Sequence, residues 1–264
     1  FAQAPLLKQW DYRFGGTGTD VISCILQTSD GGYILGGTSN SDNNGDKTQP
    51  SWGGQDYWIV KTDSLGNKQW DKNFGGIDPE YLYCIQQSSD GGYILGGFSY
   101  SGVSGDKTQS SWGGRDYWIV KTDSMGIKQW DKDFGGTYDD ELLSICQTFD
   151  RGYILGGYSY SGIGGDKTQP LWGGTGDSDY WIIKTDSLGN KEWDKDLGGF
   201  STERLYSIIQ TTDDGFMLGG ISSSGMNGDK TQPLWGGGTD YWIVKTDSLG
   251  NKLWDKDFGT TGSE

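Results

Sequence analysis

Four copies of one polar loop set an aromatic ring beside an acid, an amine and an amide: Gly45–Gly54, Gly105–Gly114, Gly165–Gly174 and Gly228–Gly237. The first reads Gly-Asp-Lys-Thr-Gln-Pro-Ser-Trp-Gly-Gly, and only the two residues before Trp vary among the copies. The groups that could do chemistry are Asp46, Lys47, Gln49 and Trp52, then Asp106, Lys107, Gln109 and Trp112. The later copies supply Asp166, Lys167, Gln169 and Trp172, then Asp229, Lys230, Gln232 and Trp235. A flat aromatic face flanked by hydrogen-bonding groups suits the apolar face and hydroxyls of a sugar ring. Four weak sites on one frame would gain avidity against a repeating polymer. The same residues also describe a structural plug, with Trp packed over a sheet edge and Asp and Thr bonding the loop backbone. Duplication alone would keep the copies alike under either reading.

Two rows of acids recur with the loops. Asp20, Glu80, Asp140 and Glu203 precede one strand-like run, and Asp56, Asp116, Asp179 and Asp240 open another. If neighbouring repeats bring the rows together, they could bind Ca²⁺ through carboxylates and carbonyls. Turn capping is the competing role. The chain has no histidine, which excludes Ser-His-Asp and Cys-His catalysis and any His-ligated metal. Paired carboxylates could hydrolyse glycosides, but every candidate acid occurs four times, whereas catalysis usually needs one asymmetric site. We therefore expect no enzyme and no obligatory cofactor.

Stepping along the chain, Trp-Asp pairs fall at Trp10, Trp70, Trp130, Trp193 and Trp254, steps of 60, 60, 63 and 61 residues. The repeats run 8–67, 68–127, 128–190 and 191–251, with a terminal strand at 252–259. A fixed period of this size marks a repeat architecture whose units bury their faces on one another. Val21–Leu26, Tyr33–Gly37, Asp56–Thr62 and Lys68–Phe74 read as four short strands separated by Asp-Gly and Asp-Ser-Leu-Gly-Asn turns. Tyr57-Trp58-Ile59-Val60 is apolar on both faces, so the sheet must be covered on both sides. This predicts an all-β propeller of four four-stranded blades in a single domain; a β-solenoid is the competing architecture. The Trp-Asp strand occurs once too often for four blades. Its extra copy, Gln9–Phe14, predicts either simple overhang or an edge that pairs with another molecule.

The string GGYILGG…DYWIVKTDSLGN resembles the tandem β-propeller repeats of secreted and cell-surface proteins of bacteria and archaea. Its layout is also similar to the bacterial propeller repeat in which a GNxYVTG-like strand precedes a DAFVAK-like strand. The resemblance spans about Lys8 to Gly259 and implies a surface display or binding scaffold rather than a defined reaction. The added GDKTQPxWGG loop departs from it. A net charge of −15 disfavours nucleic acid and anionic membrane, and no apolar run is long enough for a transmembrane helix. Phe1–Ala4 resembles the tail of a secretory signal, which fits export. Cys24, Cys84 and Cys146 read as small core residues rather than a disulfide framework. The expected function is noncatalytic binding at the cell surface, with glycans or surface polymers as partners. The alternative is a subunit that self-assembles through the spare strand, and glycoside hydrolysis comes third.

Overall fold

The computed structural model describes residues 10–260; Phe1–Ala4, Lys8 and Gln9 lie outside them. Within that range the chain is all β, in four antiparallel sheets of four strands. The first blade holds β1 (Asp20–Gln27), β2 (Tyr33–Ser39), β3 (Asp56–Thr62) and β4 (Lys68–Phe74). The second holds β5 (Glu80–Gln87), β6 (Tyr93–Ser99), β7 (Asp116–Thr122) and β8 (Lys128–Phe134). The third holds β9 (Asp140–Gln147), β10 (Tyr153–Ser159), β11 (Asp179–Thr185) and β12 (Lys191–Leu197). The fourth holds β13 (Glu203–Gln210), β14 (Phe216–Ser222), β15 (Asp240–Thr246) and β16 (Lys252–Phe258). The last Trp-Asp strand is thus the outer strand of blade 4.

Local chemistry explains the hairpins. Asp63 Oδ1 accepts the Leu65 and Asn67 amides, each at 2.9 Å, while Gly66 takes a φ of +83°. An Asp side chain that mimics a backbone turn, followed by a left-handed glycine, closes β3 onto β4. Each inner strand carries one extra residue, between Ile22 and Cys24 in β1 and at the matching places in the other blades. Such a bulge bends the strand and sharpens its twist.

The blades pack in sequence, each inner strand lying against the preceding sheet: β5 on β1 and β2, β9 on β5 and β6, β13 on β9 and β10. As the two-sided apolar pattern requires, β7 and β11 are buried at every residue. Tyr57 leaves blade 1 to pack on Trp118 of blade 2, ring centroids 4.8 Å apart, and its hydroxyl donates to the Trp118 carbonyl at 3.0 Å. Tyr117 and Tyr180 repeat this toward Trp181 and Trp242. Each strand Trp in turn donates its indole N–H to the Asp of its own blade's Trp-Asp pair, as from Trp58 to Asp71 at 3.0 Å.

The sequence leaves open whether the blades close into a ring. The four propeller-like blades form an arc, and blade 4 does not return to pack on blade 1: the partners that internal blades bury, such as Ile22 and Tyr241, stay on the surface. Trp10–Phe14, the described part of the spare copy, is not paired as a strand. It lies over blade 1, where Trp10 meets Tyr33 at 5.8 Å.

Candidate functional site

The repeated loop folds back over its own blade, and this sorts its residues. Lys47, Lys107, Lys167 and Lys230 are buried, not displayed. Lys107 pairs with Asp133 at 2.5 Å, and Lys167 and Lys230 pair with Asp196 and Asp257 in the same way. In blade 1 the acid is replaced by Asn73, and Lys47 donates to the Ser41 carbonyl at 2.7 Å. The sequence expectation that these amines face a ligand is therefore corrected: each neutralises an acid of the outer strand or caps a carbonyl inside the blade. Thr48 binds both oxygens of Asp71, and Gln49 Oε1 accepts the Asn73 amide at 2.8 Å. Gln109 does the same for Asp133, whereas Gln169 and Gln232 are half-buried.

Asp and Trp of the loops join neighbouring blades. Trp52 Nε1 donates to Asp106 Oδ2 at 2.7 Å, Trp172 Nε1 donates to Asp229 at 2.8 Å, and Trp112 bonds Asp166. Burial nevertheless raises the pKa of Asp106, Asp166 and Asp229 above the ordinary carboxylate value. The Trp rings keep one face in solvent, with exposures of 53% for Trp52, 56% for Trp112, 44% for Trp172 and 58% for Trp235. Beside two of them lie equivalent clefts. One, of about 300 Å³, is lined by Gln49, Trp52, Lys72, Asp106 and Lys128. The other, of about 420 Å³, is lined by Gln109, Trp112, Lys132, Asp166 and Lys191. Three of the four residue types expected from the sequence thus meet in a cleft, but the Asp comes from the next blade and the lysines come from strands.

The two acid rows do meet across blade junctions. A Cβ placed on Gly75 would lie 2.0 Å from Asp56 Oδ1 and 2.8 Å from Glu80 Oε2. Asp116 and Asp140, and Asp179 and Glu203, form the corresponding pairs. One oxygen each of Asp56, Asp116, Asp140, Asp179 and Asp240 has no hydrogen-bond partner. Among the described residues no group of three or more His, Cys, Asp or Glu is arranged to hold a metal ion, and the paired carboxylates of each junction suit a shared proton. Burial above all pushes Glu80, Asp140 and Asp179 up to about 7. These groups bind protons more tightly folded than unfolded, so their stabilisation is present at low pH and lost as pH rises from about 4 through 7. Asp30, Asp150 and Asp213 lie low, at about 2, through hydrogen bonds to Thr and Lys, with burial opposing. Their contribution is present above about 4 and lost as pH falls toward 2. Thermal denaturation is expected to show a melting temperature several degrees higher at pH 5.5 than at pH 8. A flat profile across that range would mean that the pairs titrate normally.

Sequence reading missed a second groove, of about 880 Å³, between blades 2 and 3. Arg115, Tyr138, Asp139, Tyr160 and Leu171 line it, together with Thr175 and Gly176 from Thr175–Ser178, a stretch that lengthens the third copy. Arg115 pairs with Asp139 at 3.1 Å and Glu141 at 2.9 Å and stacks 5.2 Å over Phe98. Arg204 stacks over Tyr158 and donates to the Tyr160 hydroxyl at 3.0 Å. These residues break the repeat, since Arg115 stands where other copies have Gln55, Ser178 and Thr239. Departure from symmetry was the signal that would have found them.

The sequence matches no family model and no curated protein. Among solved structures, it is similar to a protein of unknown function from Bacteroides caccae, at 10% identity and a TM-score of 0.34, over 96% of this chain and 88% of that one. It is also similar to a protein of unknown function from Dyadobacter fermentans DSM 18053, at 14% identity and a TM-score of 0.49, over 96% and 68% of the two chains.

Proposed function

We propose that the protein is a noncatalytic carbohydrate-binding module, acting outside the cell, that holds a surface polysaccharide along the loop edge of the arc. The observation that carries this reading is the fixing of the loop Trp rings. Each of Trp52, Trp112 and Trp172 is anchored through its N–H to the next blade and leaves a ring face in water. A rigid aromatic platform loses little entropy when a sugar stacks on it, and Gln and Lys at the cleft wall can bond hydroxyls. The buried lysines belong to the frame, so the ligand groups are Trp, Gln and the strand lysines of the clefts.

Affinity electrophoresis on neutral and acidic polysaccharides tests this. Trp52→Ala and Trp112→Ala are each expected to weaken retention roughly fivefold, equivalent to about 1 kcal/mol of stacking. Trp52→Phe keeps an aromatic face and loses only the N–H bond, so it should retain most of the binding despite losing about 1 kcal/mol of stability. Equal loss of binding in the Phe and Ala variants would assign the ring to the frame alone. No retention of the parent chain on any glycan would sink the reading. A second reading, a self-assembling surface subunit, is favoured by the exposed end faces of the arc.

A further inference from the structure

The two end faces of the arc carry the two halves of one interface. Every internal junction is built from the same four contacts. A Tyr hydroxyl donates to a Trp carbonyl of the next blade, at 3.0, 3.1 and 3.0 Å. A Leu of the next inner strand fills the space above a Gly: a Cβ on Gly36, Gly96 or Gly156 would meet Leu82, Leu142 or Leu205 at 2.9, 2.9 or 2.7 Å. A loop Trp reaches the next loop Asp. A hairpin amide donates to the Gln that ends the next inner strand, from Ser29, Ser89 and Phe149 to Gln87, Gln147 and Gln210, each at 2.8 Å.

Blade 4 presents the first half of all four contacts to solvent. Tyr241 is 56% exposed, where Tyr57, Tyr117 and Tyr180 are 0%. Gly219 has nothing within 4 Å of a would-be Cβ, and Trp235 and the amide-bearing Thr212 are exposed. Blade 1 presents the second half. Ile22, the counterpart of Leu82, Leu142 and Leu205, is 57% exposed against 1%, 0% and 0%. Gly37 lacks the Tyr hydroxyl that stands 2.7 Å from a Cβ on Gly97, Gly157 or Gly220. A cleft of about 240 Å³ lies there instead, lined by Tyr12, Phe14, Ile22, Gly37 and Trp58. Asp46 and Gln27 complete the set.

We propose that a second copy of this chain docks its blade 4 on blade 1, head to tail, and that Trp10–Phe14 is a built-in plug that must move aside. The occupant is specified by the match itself, since the new junction would continue an interface the fold already makes three times. The plug mimics the outer strand of a preceding blade. Trp10 meets Tyr33 at 5.8 Å, as Trp70 meets Tyr93 at 6.0 Å and Trp130 meets Tyr153 at 6.1 Å. The Gly15 carbonyl accepts the Asp46 amide at 2.9 Å, as Gly75 accepts Asp106 at 2.8 Å. The β16 strand of an arriving copy requires the same place, so plug and partner compete.

Residue 13 decides which of the two equivalent strands stays with blade 4. At its position β8, β12 and β16 carry Asp133, Asp196 and Asp257, each paired with a buried lysine, and β4 carries Asn73. Trp10–Phe14 brings Arg13 there. Substituted for β16, it would set a guanidinium near the buried Lys230 in place of Asp257, the acid with which that amine pairs. Hence β16 keeps its place and the plug yields. This reverses the sense expected of a spare pairing strand, which would link molecules.

Light scattering across a concentration series, in moderate salt to screen the −15 charge, tests the proposal. The full chain is expected to associate as concentration rises. Trp10→Ala/Tyr12→Ala, which loosens the plug, should tighten association roughly tenfold, and Ile22→Glu or Tyr241→Ala should abolish it with the melting temperature unchanged. A closed two-copy ring and an open series of oligomers both support a head-to-tail junction. Weaker association in the Trp10→Ala/Tyr12→Ala variant would make the segment a link and overturn the plug. Association surviving Ile22→Glu and Tyr241→Ala, or monomers throughout, would overturn the interface. Carbohydrate retention plays no part in these outcomes.

Discussion

Lys107→Met is expected to destabilise the protein by about 3–5 kcal/mol, the usual cost of leaving one member of a buried ion pair without its partner. Lys107 and Asp133 are both buried and stand 2.5 Å apart, and the amine also donates to the Gln109 carbonyl at 3.1 Å. Removing the amine strands a carboxylate whose pKa burial already drives well above the ordinary value, with Lys107 opposing. Protonation is its escape, so the loss measured by urea denaturation should be smaller at pH 5 than at pH 8. Asp133→Asn should be mild, because blade 1 already combines Lys47 with Asn73. Lys107→Met/Asp133→Leu should recover most of the loss, since an apolar pair of similar volume often replaces a buried ion pair at little cost. Equal stability of Lys107→Met and the parent at pH 8 would show that the loop lysine is not part of the frame.

Gly97→Ala should cost about 3 kcal/mol or more, the range reserved for overpacking that the backbone cannot relieve. An added Cβ would lie 1.9 Å from the Tyr81 carbonyl and 2.7 Å from the Tyr57 hydroxyl. The methyl group therefore pushes β5 from β6 and expels the Tyr57 side chain that joins blade 1 to blade 2. Gly102→Ala is the internal control, with nothing within 4 Å of its Cβ, and should stay within about 0.5 kcal/mol of the parent. Near-ultraviolet circular dichroism of the Tyr57–Trp118 pair, followed during melting, separates loss of the junction from loss of the whole fold. An unchanged melting temperature for Gly97→Ala would contradict the close approach of the two strands.

Much of the fold was legible because its strands obey local rules. Asp56–Thr62 and Lys68–Phe74 are strands with the boundaries their turns imply, and Tyr57-Trp58-Ile59-Val60 is covered on both sides. Ring closure was not legible, because it depends on whether the first and last faces meet, and each face looks like any internal one in sequence. Lys47 and its copies misled for a related reason. A lysine in a polar loop reads as displayed, yet the acid that buries Lys107 lies 26 residues further on, in another strand. The loop Trp was legible as an aromatic platform, but not its bond to the next blade, which requires knowing that loop faces loop across a junction. Arg115 and Arg204 were passed over because attention to the repeat hides the positions that depart from it.

The Tyr-to-Trp bond that joins each blade to the next also sets how the molecule opens. Blades 2 and 3 are each held from both sides, whereas blades 1 and 4 each have a single neighbour. In a linear array with nearest-neighbour coupling, opening then begins at the tips and moves inward, and the middle pair exchanges its amides last. Stability in such an array is a property of neighbours more than of units. The identical sequences DYWIVKT of β3, β7 and β15 accordingly sit in different environments: every residue is buried in β3 and β7, while β15 leaves Tyr241 in solvent.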